Sequence, residues 1–139
     1  MQLFPNSGAL KIATLVQTAL ANAKLRLVKG TSFTPGPSIT RADLQAMEAD
    51  FTGYPAGGAT VAAMLDPLLN PIGGASIDWP TVQFSAAAPY TTGNVIIGWW
   101  LETATGVVIA VGSFAQPIPI TGAGTGFPLS GSLVFPNGQ

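Results

Sequence analysis

The side chains available for chemistry in this chain are five cations, Lys11, Lys24, Arg26, Lys29 and Arg41, and six carboxylates, Asp43, Glu48, Asp50, Asp66, Asp78 and Glu102. It has no His and no Cys. A nucleophilic triad needs a base beside its nucleophile, usually His. A Ser–Lys pair could draw only on Lys11, Lys24 or Lys29, which lie in segments patterned as ordinary amphipathic elements. Paired-carboxylate hydrolysis needs two acids roughly 5–10 Å apart, and only Asp43, Glu48 and Asp50 cluster in sequence. Oxygen ligands of that kind suit a hard cation, but their spacing departs from the EF-hand loop, and carboxylates beside a short helix are ordinarily solvated. The pairs Gly57-Gly58 and Gly73-Gly74 and the run Gly122-Ala123-Gly124-Thr125-Gly126 lack the Lys and Ser/Thr that close a phosphate loop, so they read as turns. The expectation is a protein that is not an enzyme, with no catalytic residue, no metal ligand and no cofactor.

Charged residues make up 8 % of the 139 residues, where a soluble domain carries about a quarter. Charge is the usual coat of a free monomer, so this chain is expected to live covered by partners. A net charge of −1 gives no footprint for nucleic acid. Mean hydropathy is positive, at +0.44, but Gly, Pro and polar residues break every apolar run well short of the about 20 residues of a membrane span. No secretory signal pattern opens the chain, and without Cys no disulfide can stabilise it. Neither a membrane nor a small-molecule substrate is expected as a partner.

The elements that must position these residues follow from periodicity. Ile12, Leu15, Val16, Ala19 and Leu20 recur at helical spacing, which predicts an amphipathic helix over 9–23 behind an N-terminal arm, 1–8. From Lys24 the period changes to two, as in a half-buried strand ending at Gly30. A Thr/Ser/Gly/Pro loop follows, and Thr40-Arg41-Ala42-Asp43 resembles a capping box opening a short second helix. Further strands are expected over 60–65, 76–79, 81–86, 95–102, 107–114 and 130–135, with a hairpin across Glu102–Val107. The predicted fold is mainly β: one domain over 1–139, an antiparallel β-sandwich of jelly-roll type spanning 24–136 with a helix before it.

Trp99 and Trp100 are adjacent, so a strand sends them to opposite faces. One can fill the core while the other faces outward, a second sheet or a partner, and burial of both inside a two-sheet sandwich stands beside an interface role. Gln116-Pro117-Ile118-Pro119-Ile120-Thr121 cannot occupy a central sheet position, because Pro donates no ladder bond, and suits an edge, a linker arm or a strand laid on another subunit. With two apolar residues of the arm, these give six interface candidates: Leu3, Phe4, Trp99, Trp100, Ile118 and Ile120.

An ordered set of motifs, Leu25-Arg26-Leu27-Val28-Lys29, Thr34-Pro35, Ala49-Asp50-Phe51-Thr52-Gly53-Tyr54, Ile97-Gly98-Trp99-Trp100-Leu101, the hairpin to Phe114 and Leu133-Val134-Phe135-Pro136, resembles small virion proteins of tailed bacteriophages. The chain is similar to the jelly-roll capsid cement protein of a Bordetella podophage. Residues 55–75 depart from that pattern, being richer in Gly, Ala and Leu. The resemblance implies a decoration protein on the outer surface of an HK97-like capsid, sitting there as a homodimer, clamping neighbouring capsomers, with the major capsid protein as partner. A tail or fibre component whose sandwich binds a receptor or carbohydrate is the alternative.

Overall fold

In a computed structural model, the described residues are 6–69, 74–87 and 94–135. The elements run α1 (Asn6–Ala19), β1 (Ala23–Lys29), α2 (Arg41–Ala46), β2 (Ala59–Val61), β3 (Leu68–Leu69), β4 (Ala75–Ser85), β5 (Val95–Glu102), β6 (Val108–Pro119) and β7 (Gly126–Phe135). All strand pairs are antiparallel. They form a four-stranded sheet ordered β2-β1-β5-β6 and a three-stranded sheet ordered β3-β4-β7. The β-sandwich expected from the sequence is the architecture of this chain: Leu25, Leu27, Ile96 and Leu101 of the first sheet share a buried cluster with Ala75, Ile77, Trp79, Phe84 and Leu129 of the second.

Two aromatic contacts align the sheets. Trp99 of β5 meets Trp79 of β4 edge-on, with ring centroids 5.1 Å apart. Phe114 of β6 meets Phe127 of β7 at 6.3 Å in the same manner. Thus β5 lies over β4 and β6 over β7. Each tryptophan also covers a glycine on the next strand. A Cβ at Gly131 would stand 2.4 Å from the Trp79 ring, and one at Gly112 would stand 2.5 Å from the Trp99 ring. An indole lying flat on a neighbouring strand needs a partner without a side chain.

The helix occupies Asn6–Ala19 rather than 9–23, and its buried line is Ala9 and Ala13, with Val16 half-buried and Leu20 buried just past its end. The predicted stripe is therefore rotated: Leu15 is 59 % exposed and Ala19 is exposed. Small alanines face the sheet because they let the helix backbone approach closely. Asn22 adopts a left-handed conformation, φ 57°, which turns the chain out of the helix and into β1.

The strand at Lys24–Lys29 is not half-buried. Leu25, Arg26, Leu27 and Val28 are all buried, because the excursion between β1 and β2 folds back over the outer face of the first sheet. There α2 and its flanks build a second cluster, in which Val28, Leu44, Ile97 and Trp100 are buried under Phe33, Ile39 and Met47. The predicted capping box at Thr40–Asp43 is present in both directions. The separate strands expected at 76–79 and 81–86 are one strand, β4, whose register shifts between Trp79 and Val82. That irregularity accommodates Pro80 without a ladder bond. Pro117 and Pro119 lie in β6 at the end of its sheet, as their missing donors require.

Candidate functional site

The densest polar constellation lies between β1, β5 and the α2 excursion. Arg26 projects from β1 and bonds the Glu48 carboxylate through Nη1 at 3.0 and 3.1 Å. Its Nη2 lies 2.8 Å from Glu102 Oε1. Arg41, the first residue of α2, grips the same Glu102 carboxylate through Nε and Nη2 at 2.9 and 3.1 Å. The Trp100 indole donates to Glu102 Oε2 at 3.0 Å, and the Arg26 guanidinium sits 5.7 Å from the centre of that ring. Tyr54 donates its hydroxyl proton to Glu48 at 2.9 Å and accepts from the Leu27 amide at 3.2 Å. Glu102 is 1 % exposed and Arg26 9 %, so both carboxylate and guanidinium are withdrawn from water.

Two turn glycines make room for the arginines. Gly58 has φ +85°, and a Cβ there would stand 2.5 Å from Arg26 Cγ and 2.7 Å from the Leu25 carbonyl. Gly106, in the β5–β6 hairpin, has φ +90°, with a Cβ position 3.2 Å from the Arg41 guanidinium. Left-handed backbone favours glycine in any case, and here it also sets the approach of each cation.

The chemistry of this arrangement is cohesion. Two cations meet two anions, so the group is internally neutral, and Glu102 is held by charge-assisted bonds on both oxygens. Burial pushes the Glu102 carboxyl up, but the bonds from Arg41 and Trp100 and the charges of Arg26 and Arg41 outweigh it, leaving its pKa below the ordinary 4.5. Burial raises the Tyr54 phenol above its ordinary value. Asp50 is lowered by its bonds to Lys29 and Asn94, and Lys29 Nζ lies 2.6 Å from it. Asp43 is lowered by its bonds to Thr40.

These directions fix the pH response. A carboxylate whose folded pKa is depressed adds stability above its unfolded value and loses it as pH falls through the folded one. The phenol, raised by folding, contributes below its ordinary 10 and ceases to above it. The chain has no His and no Cys, the side-chain types whose ordinary values fall between. Stability in urea at fixed temperature is therefore expected to be flat from about pH 5 to 9, declining below about pH 4.5 and again above about pH 10. A stability maximum confined to a narrow band near neutrality would contradict it.

The six interface candidates separate. Leu3 and Phe4 lie outside the described residues. Trp100 and Ile120 are interior, at 0 % and 4 % exposure: Trp100 is roofed by the α2 excursion, and Ile120 packs in the main core. Neither presents a surface to a partner. Trp99 and Ile118 are half-buried against the main core. The two tryptophans take opposite faces, as expected: the α2 excursion covers Trp100, and the second sheet half-buries Trp99 against Trp79. The acids Asp43, Glu48 and Asp50 do not converge, since each is turned to a different partner: Thr40, Arg26 and Lys29.

Sequence reasoning passed over the network of Arg26, Arg41, Glu48, Tyr54 and Glu102. Its visible trace was Arg26 inside an apolar strand and Glu102 closing an otherwise apolar one. The motifs that carried the phage resemblance contribute heavily to it. Ala49-Asp50-Phe51-Thr52-Gly53-Tyr54 supplies Tyr54, the Asp50–Lys29 pair and the buried Phe51. Its Gly53, φ +100°, lies where a Cβ would stand 2.5 Å from the Ser85 carbonyl.

On the far side of the molecule, the three strands of the second sheet carry one charged residue, Asp78. Ser132 Oγ bonds its carboxylate from the paired strand. Beside it lies an open cleft of about 300 Å³ lined by Leu65, Asp78, Pro80, Thr81, Ser130 and Ser132. Leu68, Ser76 and Val134 stand in one cross-strand row of that sheet, with Leu68 61 % and Val134 57 % exposed. Among the described residues, no helix is long and apolar enough to cross a membrane, and no three acids gather as a metal site. No family model, curated protein or solved structure matches the chain.

Proposed function

We propose that this protein is a structural component of a larger particle, a cement or decoration protein bound to the outer surface of a tailed-phage capsid and stabilising contacts between capsomers. One observation carries the reading: six of the eleven charged residues pair with one another. Arg26, Arg41, Glu48 and Glu102 bond one another, and Lys29 bonds Asp50, while the second sheet is left with Asp78 alone. A broad face of Ser, Thr, Gly and exposed Leu65, Leu68 and Val134 has little charge to hold water, and apolar area removed from water contributes about 25 cal/mol per Å² as an upper scale. The sequence resemblance to phage cement proteins narrows assembly in general to a capsid, with the major capsid protein as partner.

Quantitative mass spectrometry of purified virions tests this reading. The expected result is a copy number comparable with that of the major capsid protein. A few copies per particle would transfer the chain to the tail or fibre, and its absence from virions would remove the proposal.

A further inference from the structure

Asn94 is buried, at 4 % exposure, and a single residue holds both ends of its side-chain amide. The Asp50 backbone N–H donates to Asn94 Oδ1 at 3.2 Å, and Asn94 Nδ2 donates to Asp50 Oδ1 at 3.1 Å. The Asn94 main-chain carbonyl accepts from the Ile120 amide at 2.9 Å, which fixes the residue in place. Lys29 Nζ lies 2.6 Å from the same Asp50 Oδ1. An amine and an amide nitrogen thus share one carboxylate oxygen, while a backbone N–H points at the amide oxygen.

Three segments distant in sequence build this arrangement. Lys29 closes β1, where the register against β5 shifts between Val28 and Lys29. Asn94 leads into β5, and beside it the Gly30 amide donates to the Val95 carbonyl at 3.0 Å. Asp50 follows the α2 excursion, which is tied to β1 by the Lys29 amide on the Met47 carbonyl and the Ala49 amide on the Leu27 carbonyl, at 2.8 and 3.0 Å. A surface ion pair needs no third member; this one has a buried amide behind it.

Acyl transfer to an amine needs a group to take the amine's proton, a donor at the oxygen that becomes negative, and a proton for the leaving group. Asp50 supplies all three, the first and last through its carboxylate and the second through its backbone N–H. The Lys29 side chain is 32 % exposed, whereas Asn94 is held at both ends, so only the lysine has to move, from the carboxylate oxygen to the amide carbon beside it. Holding reactants in such proximity is worth an effective concentration of about 10⁵–10⁸ M in well-oriented cases.

We propose that Lys29 and Asn94 join in an intramolecular amide bond, with Asp50 as the proton carrier. The Lys29 ammonium gives one proton to Asp50, and its nitrogen attacks Asn94 Cγ. As the new C–N bond forms, the carbonyl electron pair moves onto Asn94 Oδ1, facing the Asp50 N–H. Collapse breaks the bond to Nδ2, which takes a second proton from the attacking nitrogen and the one held by Asp50, and leaves as ammonium. No oxidant or cofactor enters. The product ties the end of β1 to the entry of β5 and closes residues 29–94 into a covalent loop, restricting the unfolded chain as a disulfide does, in a sequence without Cys. Until the bond forms, Lys29 and Asp50 remain a surface ion pair. The inference is independent of the capsid reading.

Intact-mass spectrometry and isoelectric focusing of the purified full chain, followed over several days, test the proposal. The expected result is a loss of about 17 Da, one ammonia, together with the loss of one positive charge. Succinimide formation at an asparagine also releases ammonia but leaves the net charge unchanged, so the two readouts together separate the reactions. Peptide mapping should recover one branched species joining the segments around residues 29 and 94. Lys29→Arg, which keeps the cation, and Asp50→Ala should retain full mass and the parent's circular dichroism. Should either variant fail to fold, reductive dimethylation of the lysines in the folded parent blocks the amine and should likewise preserve the mass of the dimethylated chain. A parent that keeps its full mass, or an ammonia loss that persists in Lys29→Arg or after dimethylation, would overturn the proposal. Loss of ammonia at the parent rate in Asp50→Ala would overturn the role given to Asp50.

Discussion

Glu102→Gln is expected to lower the stability of this protein by about 3–5 kcal/mol, the usual cost of removing one partner from a buried ion pair. Gln keeps the size and one acceptor oxygen but removes the charge. Arg26, 9 % exposed, would then face Glu48 alone while its Nε already lacks a hydrogen-bond partner. Arg41 would lose its bidentate contact, which joins α2 to the first sheet. Thermal unfolding should report a fall of roughly 10–20 °C. The damage should also be local: amides of residues 31–48 should exchange faster than those of β4 and β7, because the α2 excursion is tied down by this network and by the small cluster around Trp100. A change of less than about 1 kcal/mol would show that solvent reaches the carboxylate. Replacing Arg26 and Glu102 together by apolar residues should recover part of the loss, since an absent buried pair costs less than a broken one. Lys29→Ala is the contrasting case: its partner Asp50 is 65 % exposed, and a surface pair contributes about 0–1 kcal/mol.

The same network explains which parts of the molecule were legible in the sequence. Strand β5 emerged at Val95–Glu102 with its predicted limits, because a long apolar run bounded by polar loops has one reading. The capping box at Thr40 was likewise legible, since its two bonds are local. Arg26 was not. Alternation along Lys24–Lys29 describes a strand with one wet face, and only the return of residues 31–48 over that face turns it into an interior position. Such a return is a long-range event, fixed by Glu48 pairing across from Val28 and by Arg41 reaching Glu102, 61 residues away. Trp100 was misassigned to an interface for the same reason. The helix stripe failed differently: large apolar residues dominated the periodic pattern, whereas the sheet selected Ala9 and Ala13 for closeness. The pairing of the few charges was not legible either: Arg26, Arg41, Glu48 and Glu102 bond one another, while the strands of the second sheet carry Asp78 alone.

Trp79→Ala is expected to cost about 3–5 kcal/mol, the range for removing a buried aromatic side chain. Trp79 is 2 % exposed, lies on Gly131 of β7 and meets Trp99 of the facing sheet. It therefore closes the second sheet and joins the two sheets at once. Its truncation would leave a void bounded by strands whose register is held on either side, which limits collapse. Gly131→Ala attacks the same contact from the other strand. The new Cβ would stand 2.4 Å from the ring, so indole or strand must shift, at about 1–3 kcal/mol. The two substitutions together should cost less than their sum, because removal of the indole vacates the space that the new methyl needs. A double-mutant cycle in urea should return a coupling of at least 0.5 kcal/mol in that direction. Strict additivity would mean that the glycine at 131 is required for strand geometry rather than for the tryptophan. The register shift between Trp79 and Val82 would then have to be what places the indole. Trp99 and Gly112 repeat the arrangement on the first sheet. Gly112→Ala should accordingly destabilise with the same sign and by a smaller amount, since Trp99 is only half-buried and its ring has room to yield.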